Sequence, residues 1–94
     1  VAENVDFFDA DLSEASLRDA RLKGVRFYET NLQKAVLIGA DLSGANFEGA
    51  KLQGARLTNA KLDGAINIAK ALWDETTIWP EGFGAPARRG AEIA

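Results

Sequence analysis

The sequence predicts an all-β solenoid in which the chain winds into stacked, four-sided coils. Three observations predict it: a large apolar residue at every fifth position, a small or β-branched residue two places before each, and phenylalanines that recur at intervals of twenty. The first two observations set a period of five, and the third sets the number of sides. Internal repeats of this kind decide an architecture before local propensities do.

The large apolar positions keep one phase from residue 5 to residue 64. They are Phe7, Leu12, Leu17, Leu22, Phe27, Leu32, Leu37, Leu42, Phe47, Leu52, Leu57 and Leu62. The residues two places before them are Val5, Ala10, Ala15, Ala20, Val25, Thr30, Ala35, Ala40, Ala45, Ala50, Ala55 and Ala60. Together these two sets define twelve repeat units.

Neither a helix nor a long strand accommodates a period of five. On an α-helix, five residues advance by a net rotation of about 140°, so the leucines would not form a stripe. On a strand, successive leucines would alternate between the two faces of the sheet, because five is odd. A chain that turns a corner every five residues points both apolar positions inward each time. Stacking such coils buries a continuous core.

The number of sides follows from the aromatic residues. Phe7, Phe27 and Phe47 are separated by twenty residues, and Val5 and Val25 share that spacing. Four sides of five residues place these like residues directly above one another, with successive coils about 4.8 Å apart. Three or five sides would scatter the phenylalanines over different walls.

The repeat unit resembles that of the pentapeptide-repeat family, as seen in Ala40-Asp41-Leu42-Ser43-Gly44 and more loosely in residues 45–49. The resemblance covers residues 5–64 and implies a right-handed quadrilateral β-helix. Seven units depart from the Asp or Asn that the family prefers at the second position: Ser16, Arg21, Arg26, Val36, Lys51, Arg56 and Lys61. Because this position faces outward, we expect the departures to alter the surface and not the fold.

Two details of the repeat carry structural expectations. The fifth position is mostly Gly, Asn or Asp, which tolerate the positive φ of some tight turns. Glu14, Glu29 and Lys34 tolerate it poorly, so another turn type is expected at their corners. Thr30 replaces the usual small apolar residue, and its hydroxyl is expected to find a backbone acceptor inside the solenoid.

The five-residue register ends after Ala65, because the next central position is Asn67. Leu72 follows Leu52 by twenty residues, which predicts a partial fourth coil. An aromatic cluster then predicts a C-terminal cap formed by Trp73, Ile78, Trp79 and Phe83. A ligand platform built on the two tryptophans is the alternative. The predicted organisation is an N-terminal lead (1–4), a β-helix of about three complete coils (5–64), a partial coil and cap (65–83), and a flexible tail (84–94).

The composition argues against catalysis. The chain has no Cys and no His, which excludes thiolate metal sites and the commonest catalytic base. Ser13, Ser16 and Ser43 therefore have no histidine to activate them. The spacing of the acidic residues matches no calcium-binding loop, although a site made of carboxylates alone remains an alternative. The sequence predicts no enzyme, no cofactor and no metal.

The function that we expect is a binding or scaffold module that presents flat faces to a protein partner. One candidate surface is the column Phe8, Tyr28 and Glu48, although aromatic pairing that merely stabilises the wall is the alternative. Further candidates are the acidic residues of the first units, namely Asp6, Asp9, Asp11, Glu14 and Asp19. The resemblance also implies an alternative function. Some pentapeptide-repeat proteins of the quinolone-resistance group inhibit DNA gyrase as acidic mimics of DNA. In this chain, bases interrupt such an acidic surface, namely Arg21, Lys51, Arg56 and Lys61.

The net charge of −3 and the scattered bases predict no direct contact with nucleic acid. No apolar run approaches the length of a membrane span, so no membrane association is expected. Because only Val1–Asn4 precede the first unit and no N-terminal cap is visible, an end-to-end homodimer through that coil is a further hypothesis. The compartment is unknown. The cytoplasm is favoured, with the periplasm or a plastid lumen as alternatives if a leader has been removed.

Overall fold

The structure is a computed structural model that describes residues 5–83. The lead predicted for residues 1–4 and the tail predicted for residues 84–94 lie outside the described residues. Within residues 5–83 the regular elements are isolated parallel β-bridges and one 3-10 helix, Ile68–Lys70.

Parallel bridges join residues that are twenty apart in the sequence, as the repeat predicts. They form four rows, each of which we name as a face. Face 1 runs through Asp6, Arg26, Asn46 and Ile66; face 2 through Asp11, Asn31 and Lys51; face 3 through Ser16, Val36 and Arg56; face 4 through Arg21, Asp41 and Lys61. Segments 5–24, 25–44 and 45–64 therefore lie one above another.

Each bridge is part of a repeated set of backbone hydrogen bonds. The Arg26 N–H donates to the Val5 carbonyl (2.9 Å), and the Arg26 carbonyl accepts from the Phe7 N–H (2.8 Å). The Ala10 N–H donates to the Phe7 carbonyl (2.9 Å), which closes the corner. Because bonds of this kind recur between successive coils, the chain forms a parallel ladder although no strand is longer than one bridge residue.

The corners are uniform. The fifth residue of all twelve units has a positive φ: Asp9, Glu14, Asp19, Gly24, Glu29, Lys34, Gly39, Gly44, Gly49, Gly54, Asn59 and Gly64. The prediction of another turn type at Glu14, Glu29 and Lys34 is therefore wrong, since their φ values are 61°, 55° and 62°. The neighbouring segment explains why. The Glu14 N–H donates to the Gln33 carbonyl (2.9 Å), and the Lys34 N–H donates likewise to Gln53 (2.9 Å). A different turn would lose these bonds, so stacking overrides a local cost of about 1–2 kcal/mol.

The core is the predicted column of inward side chains. The rings of Phe7 and Phe27 stack with centroids 5.7 Å apart, and those of Phe27 and Phe47 with centroids 5.4 Å apart. This confirms the vertical alignment that set the number of sides. Thr30 is fully buried, and its hydroxyl donates to the Phe7 carbonyl (2.8 Å), as predicted.

The register changes after residue 66. Ile66 still bridges Asn46, but Leu72 bridges Lys51 and Ile78 bridges Arg56, at separations of twenty-one and twenty-two residues. Leu72 is thus a half-buried bridge residue and does not occupy the inward position that its spacing from Leu52 suggested. The 3-10 helix Ile68–Lys70 lengthens the unit.

Trp73 takes the inward place beyond Leu72, where it is only 2% exposed. Its ring meets Trp79 edge to face (5.8 Å), and Trp79 stacks on Phe83 (5.6 Å). Ile78 was expected in this cluster, but it is a bridge residue that is 47% exposed. The extra residue in each unit therefore moves the tryptophans inward and the aliphatic residues outward.

Candidate protein-binding surface

The predicted aromatic column lies on face 1, at the first turn residue of each unit. Phe8 is 64% exposed, Tyr28 is half-buried and Glu48 is exposed. Hydrogen bonds between the turns connect them, because Asp9 N–H donates to the Tyr28 carbonyl (2.9 Å) and Glu29 N–H to the Glu48 carbonyl (3.1 Å). The structure thus brings these three residues into one column, as the sequence predicts.

A polar network beneath the column holds the tyrosine in place. The Asn46 side-chain amide donates to the Tyr28 hydroxyl (2.9 Å). The Oδ1 atom of Asn46 accepts from the Glu48 N–H (3.0 Å) and from the Asn67 amide (3.0 Å). Asn46 is 9% exposed, and its amide group bonds both Tyr28 and Asn67, so it links the Tyr28 hydroxyl to the turn at Asn67.

Sequence reasoning missed Asn46 and Asn67. Asn46 was counted as an ordinary outward position, and Asn67 was read only as a break in the repeat. One signal was available: the two asparagines are twenty-one residues apart, at the point where the register changes. Asn67 has φ 61°, a conformation that Asn adopts more readily than most residues, so it turns its amide towards Asn46.

The five acidic candidates do not lie together on one face. Asp6 and Asp9 are on face 1, Asp11 and Glu14 on face 2, and Asp19 on face 3. All five are exposed. Asp6 and Asp9 flank Phe8 in the sequence and belong to the same surface, whereas the other three face different directions.

Asp11 has a structural role in its own turn. The hydroxyl and the backbone N–H of Ser13 both donate to its Oδ1 atom, at 2.6 and 3.0 Å. These two hydrogen bonds hold the pKa of Asp11 below its usual value, and the bond from the hydroxyl contributes more than the bond from the backbone. Asp41 is bonded to Ser43 in the same way, and its pKa is lowered first by the hydroxyl, then by the backbone bond and by the positive charges of Lys61 and Lys23. These carboxylates stay ionised at neutral pH and order the corners.

An open polar groove of about 500 Å³ lies on face 2. It is lined by Ser13, Glu14, Asn31, Gln33, Lys34, Gln53, Gly54, Asp74 and Thr76. The Gln33 amide donates to the Gln53 side chain (3.2 Å) across its floor. The repeat analysis did not identify this groove, because Asp74 and Thr76 reach it only through the altered register. Among residues 5–83, no group of three or more His, Cys, Asp or Glu residues is arranged to hold a metal ion.

No helix within residues 5–83 has the length and apolar character needed to cross a membrane.

These observations define a class of protein, namely a four-sided β-helical repeat protein with a ladder of single bridges and a filled core. A family model described as pentapeptide repeats matches residues 6–44 and 30–66, with eight copies. The chain belongs to the pentapeptide-repeat family. The match confirms the resemblance noted from the repeat unit, and membership implies a right-handed β-helix.

Solved structures of cyanobacterial proteins are similar in sequence. The chain is 34% identical to the pentapeptide-repeat protein Rfr23 from Cyanothece 51142, with 82% of this chain and 58% of that chain covered and a TM-score of 0.39. It is 30% identical to alr5209 from Nostoc Pcc 7120, with coverage of 84% and 77% and a TM-score of 0.41. It is 34% identical to HetL from Nostoc sp. Strain PCC 7120, a protein involved in heterocyst differentiation regulation, with coverage of 82% and 42% and a TM-score of 0.38.

The chain therefore spans 58% of the length of Rfr23 and 42% of the length of HetL. No curated protein matches the sequence.

Proposed function

We propose that this chain is a non-enzymatic binding module that presents face 1 of a rigid β-helix to a protein partner. The observation that carries the proposal is a column on face 1 in which an exposed Phe8 lies next to Tyr28, whose hydroxyl accepts a hydrogen bond from Asn46. In this proposal residues 5–64 form three complete coils. Residues 65–83 form a partial fourth coil that caps them, and Trp73 and Trp79 serve as its core and not as a ligand platform.

Face 1 has the composition of a contact surface. Aromatic side chains contribute much of the energy of protein interfaces, because they bury a large area at a low entropic cost. Two further apolar residues of face 1 are exposed, since Val5 is 40% and Ile66 49% exposed. The charged residues of face 1 are four acids, Asp6, Asp9, Glu29 and Glu48, and two bases, Arg26 and Lys70. We therefore expect the partner to offer an apolar anchor with basic residues beside it.

Mimicry of DNA remains the second hypothesis, supported by the five exposed carboxylates of segment 5–24. The distribution of charge supports it less well than protein binding. The acids are divided over three faces, and face 4 carries Arg21, Lys23 and Lys61. A DNA gyrase supercoiling assay separates the two functions: inhibition by the chain at micromolar concentration would favour mimicry, and no inhibition would eliminate it.

The proposal is tested by affinity capture from a native extract with three versions of the protein. Phe8→Ala removes the exposed aromatic of face 1. Ile38→Ala is the matched control, because Ile38 occupies the same turn position on face 3. We expect the unaltered chain and Ile38→Ala to retain the same protein and Phe8→Ala to lose it. Equal capture by all three would rule out face 1 as the contact surface.

A further inference from the structure

The polar groove on face 2 runs along the solenoid axis and crosses successive segments. Its lining starts at Glu14 in segment 5–24, passes Lys34 in the next segment and ends at Asp74, three segments above Glu14. Because stacked segments lie about 4.8 Å apart, the groove extends about 14 Å from Glu14 to Asp74. A ligand that fills it therefore lies across the segments.

Lys34 carries an unpaired positive charge in the middle of the groove. A Cβ atom at Gly54 would lie 3.0 Å from the Lys34 Cγ, so the lysine stem lies over this glycine. The stem is thus directed towards the segment of Gly54 and away from Glu14. Among residues 5–83, the Lys34 ammonium forms no ion pair and no hydrogen bond, although Glu14 lines the same groove. The charge is left for a ligand.

The two ends of the groove are acidic. The Oδ1 atom of Asp74 accepts from the Thr76 N–H (2.8 Å) and from the Thr76 hydroxyl, which holds the carboxylate in place. Its Oδ2 atom accepts no hydrogen bond from the part of the chain that the structure describes. Glu14 is exposed, and its carboxylate has no partner within the same residues. The charges along the groove therefore follow the order negative, positive, negative.

The floor between these charges has unused hydrogen-bonding groups of both kinds. The Asn31 Oδ1 atom accepts from the Gln33 N–H (3.0 Å), which leaves the Asn31 Nδ2 atom as a donor. The Gln33 Nε2 atom donates to the Gln53 Oε1 atom (3.2 Å), which leaves the Gln33 Oε1 atom as an acceptor and the Gln53 Nε2 atom as a donor. A peptide backbone offers both N–H and carbonyl groups and can use all of them.

We propose that the groove binds an extended peptide segment of a protein partner in which an acidic residue stands between two basic ones at alternate positions, as in Lys-x-Glu-x-Lys. Side chains at every second position of an extended chain point to one side, and the first and third of them are about 13–14 Å apart. This span matches the groove, so the acid meets Lys34 while the bases meet Glu14 and Asp74. A nucleic-acid strand or another polyanion would be repelled by the same two carboxylates.

This inference goes beyond the proposed function, because it concerns a different face and holds whether or not face 1 binds a protein. An NMR titration of the ¹⁵N-labelled 94-residue chain tests it at low ionic strength. The probe is the synthetic peptide Lys-Ser-Glu-Ser-Lys, blocked at both ends. We expect saturable shifts of the side-chain amide signals of Asn31, Gln33 and Gln53. The expected dissociation constant is about 1–10 mM, because each exposed ion pair contributes little.

The charge-reversed peptide Glu-Ser-Lys-Ser-Glu is the control ligand, and we expect it to bind about tenfold more weakly. Equal affinity for the two peptides, or no saturable shift at about 20 mM peptide, would overturn the proposed site. Either result would leave the face 1 proposal standing, because capture from an extract measures that contact separately.

A change of specificity tests the role of Lys34. Lys34→Glu makes all three charges of the groove negative, so the ratio of its affinities for Lys-Ser-Glu-Ser-Lys and Lys-Ser-Lys-Ser-Lys should fall about tenfold. Lys23→Glu is the matched control, because it alters the net charge equally but lies exposed on face 4. We expect its ratio to stay within about twofold of that of the unaltered chain. An unchanged ratio in Lys34→Glu, or an equal fall in both variants, would contradict the assignment of Lys34 to the acidic residue of the peptide.

Discussion

The two ends of the described chain contain the same kind of repeat but differ in how much of the core they cover. At the C-terminal end, Trp73 is 2% exposed and Trp79 packs against the core cluster. At the N-terminal end, Phe7, Leu12 and Leu17 occupy equivalent inward positions but stay half-buried. The difference shows that burial in a solenoid depends on what stacks above or below a residue, and not on its place in the repeat alone.

The C-terminal end achieves its coverage by a change of register. Six residues separate Ile66 from Leu72 and six separate Leu72 from Ile78, in place of the usual five. The added length brings a larger side chain to each inward position and still leaves Ala71 and Thr77 at the buried small positions. The six-residue units thus have tryptophan at the inward position, where the five-residue units have leucine or phenylalanine.

The largest expected effect comes from truncating the inward aromatic residue at each end. We expect Trp73→Ala to lower the free energy of unfolding by about 3–5 kcal/mol, because it leaves a cavity in a buried site. Phe7→Ala should cost about half as much, since its ring is already partly in contact with solvent. Urea unfolding followed by circular dichroism measures both. Equal losses would contradict the difference in burial between Phe7 and Trp73.

A smaller effect is expected from filling the small positions. Ala45 is fully buried and Ala10 is half-buried. We expect Ala45→Leu to cost about 1–3 kcal/mol by overpacking. Ala10→Leu should cost less, because Ala10 is only half-buried and its new methyl groups are less confined. The same urea titration distinguishes them, and a larger loss for Ala10→Leu would contradict the comparison of the two ends.

The features that the sequence predicts correctly are those that depend on the period. The aligned phenylalanines and the hydroxyl bond of Thr30 follow from a spacing of twenty, because each needs only the position of a residue on its wall. The inward position predicted for Leu72 is wrong for the same reason. The prediction extends the five-residue period past Ile66, whereas the 3-10 helix Ile68–Lys70 adds one residue that the period does not reveal. The Asn46 network was missed because it depends on contacts between side chains of different segments.

The turn at Lys34 illustrates the same limit and yields the third prediction. Propensity predicts that lysine avoids a positive φ, but its N–H is needed by the segment above. We expect Lys34→Gly to raise the free energy of unfolding by about 1 kcal/mol, because it relieves the left-handed strain. Lys34→Ala keeps the strain and serves as the control. No gain from glycine over alanine would show that the turn is unstrained.

The smallest effect expected is a pH dependence of stability that arises from Asp11 in segment 5–24 and Asp41 in segment 25–44. The folded pKa of both Asp11 and Asp41 is below the unfolded value, so each carboxylate contributes stability above that unfolded value of about 3.9. This contribution is lost as the pH falls from there through the folded pKa. Asp11→Asn and Asp41→Asn should each flatten that decline in urea titrations below about pH 4.

Salt separates the two carboxylates. Bonds to Ser43 are the main cause of the low pKa of Asp41, and attraction by Lys61 and Lys23 adds to them, whereas only Ser13 lowers the pKa of Asp11. About 0.5 M NaCl screens the lysines and leaves the serine bonds intact. We expect salt to raise the pKa of Asp41, measured by NMR titration of its carboxylate, and to change that of Asp11 less. An equal response would mean that the charges stacked along face 4 do not act on Asp41, and that its Ser43 bonds account for the whole difference from an unfolded chain.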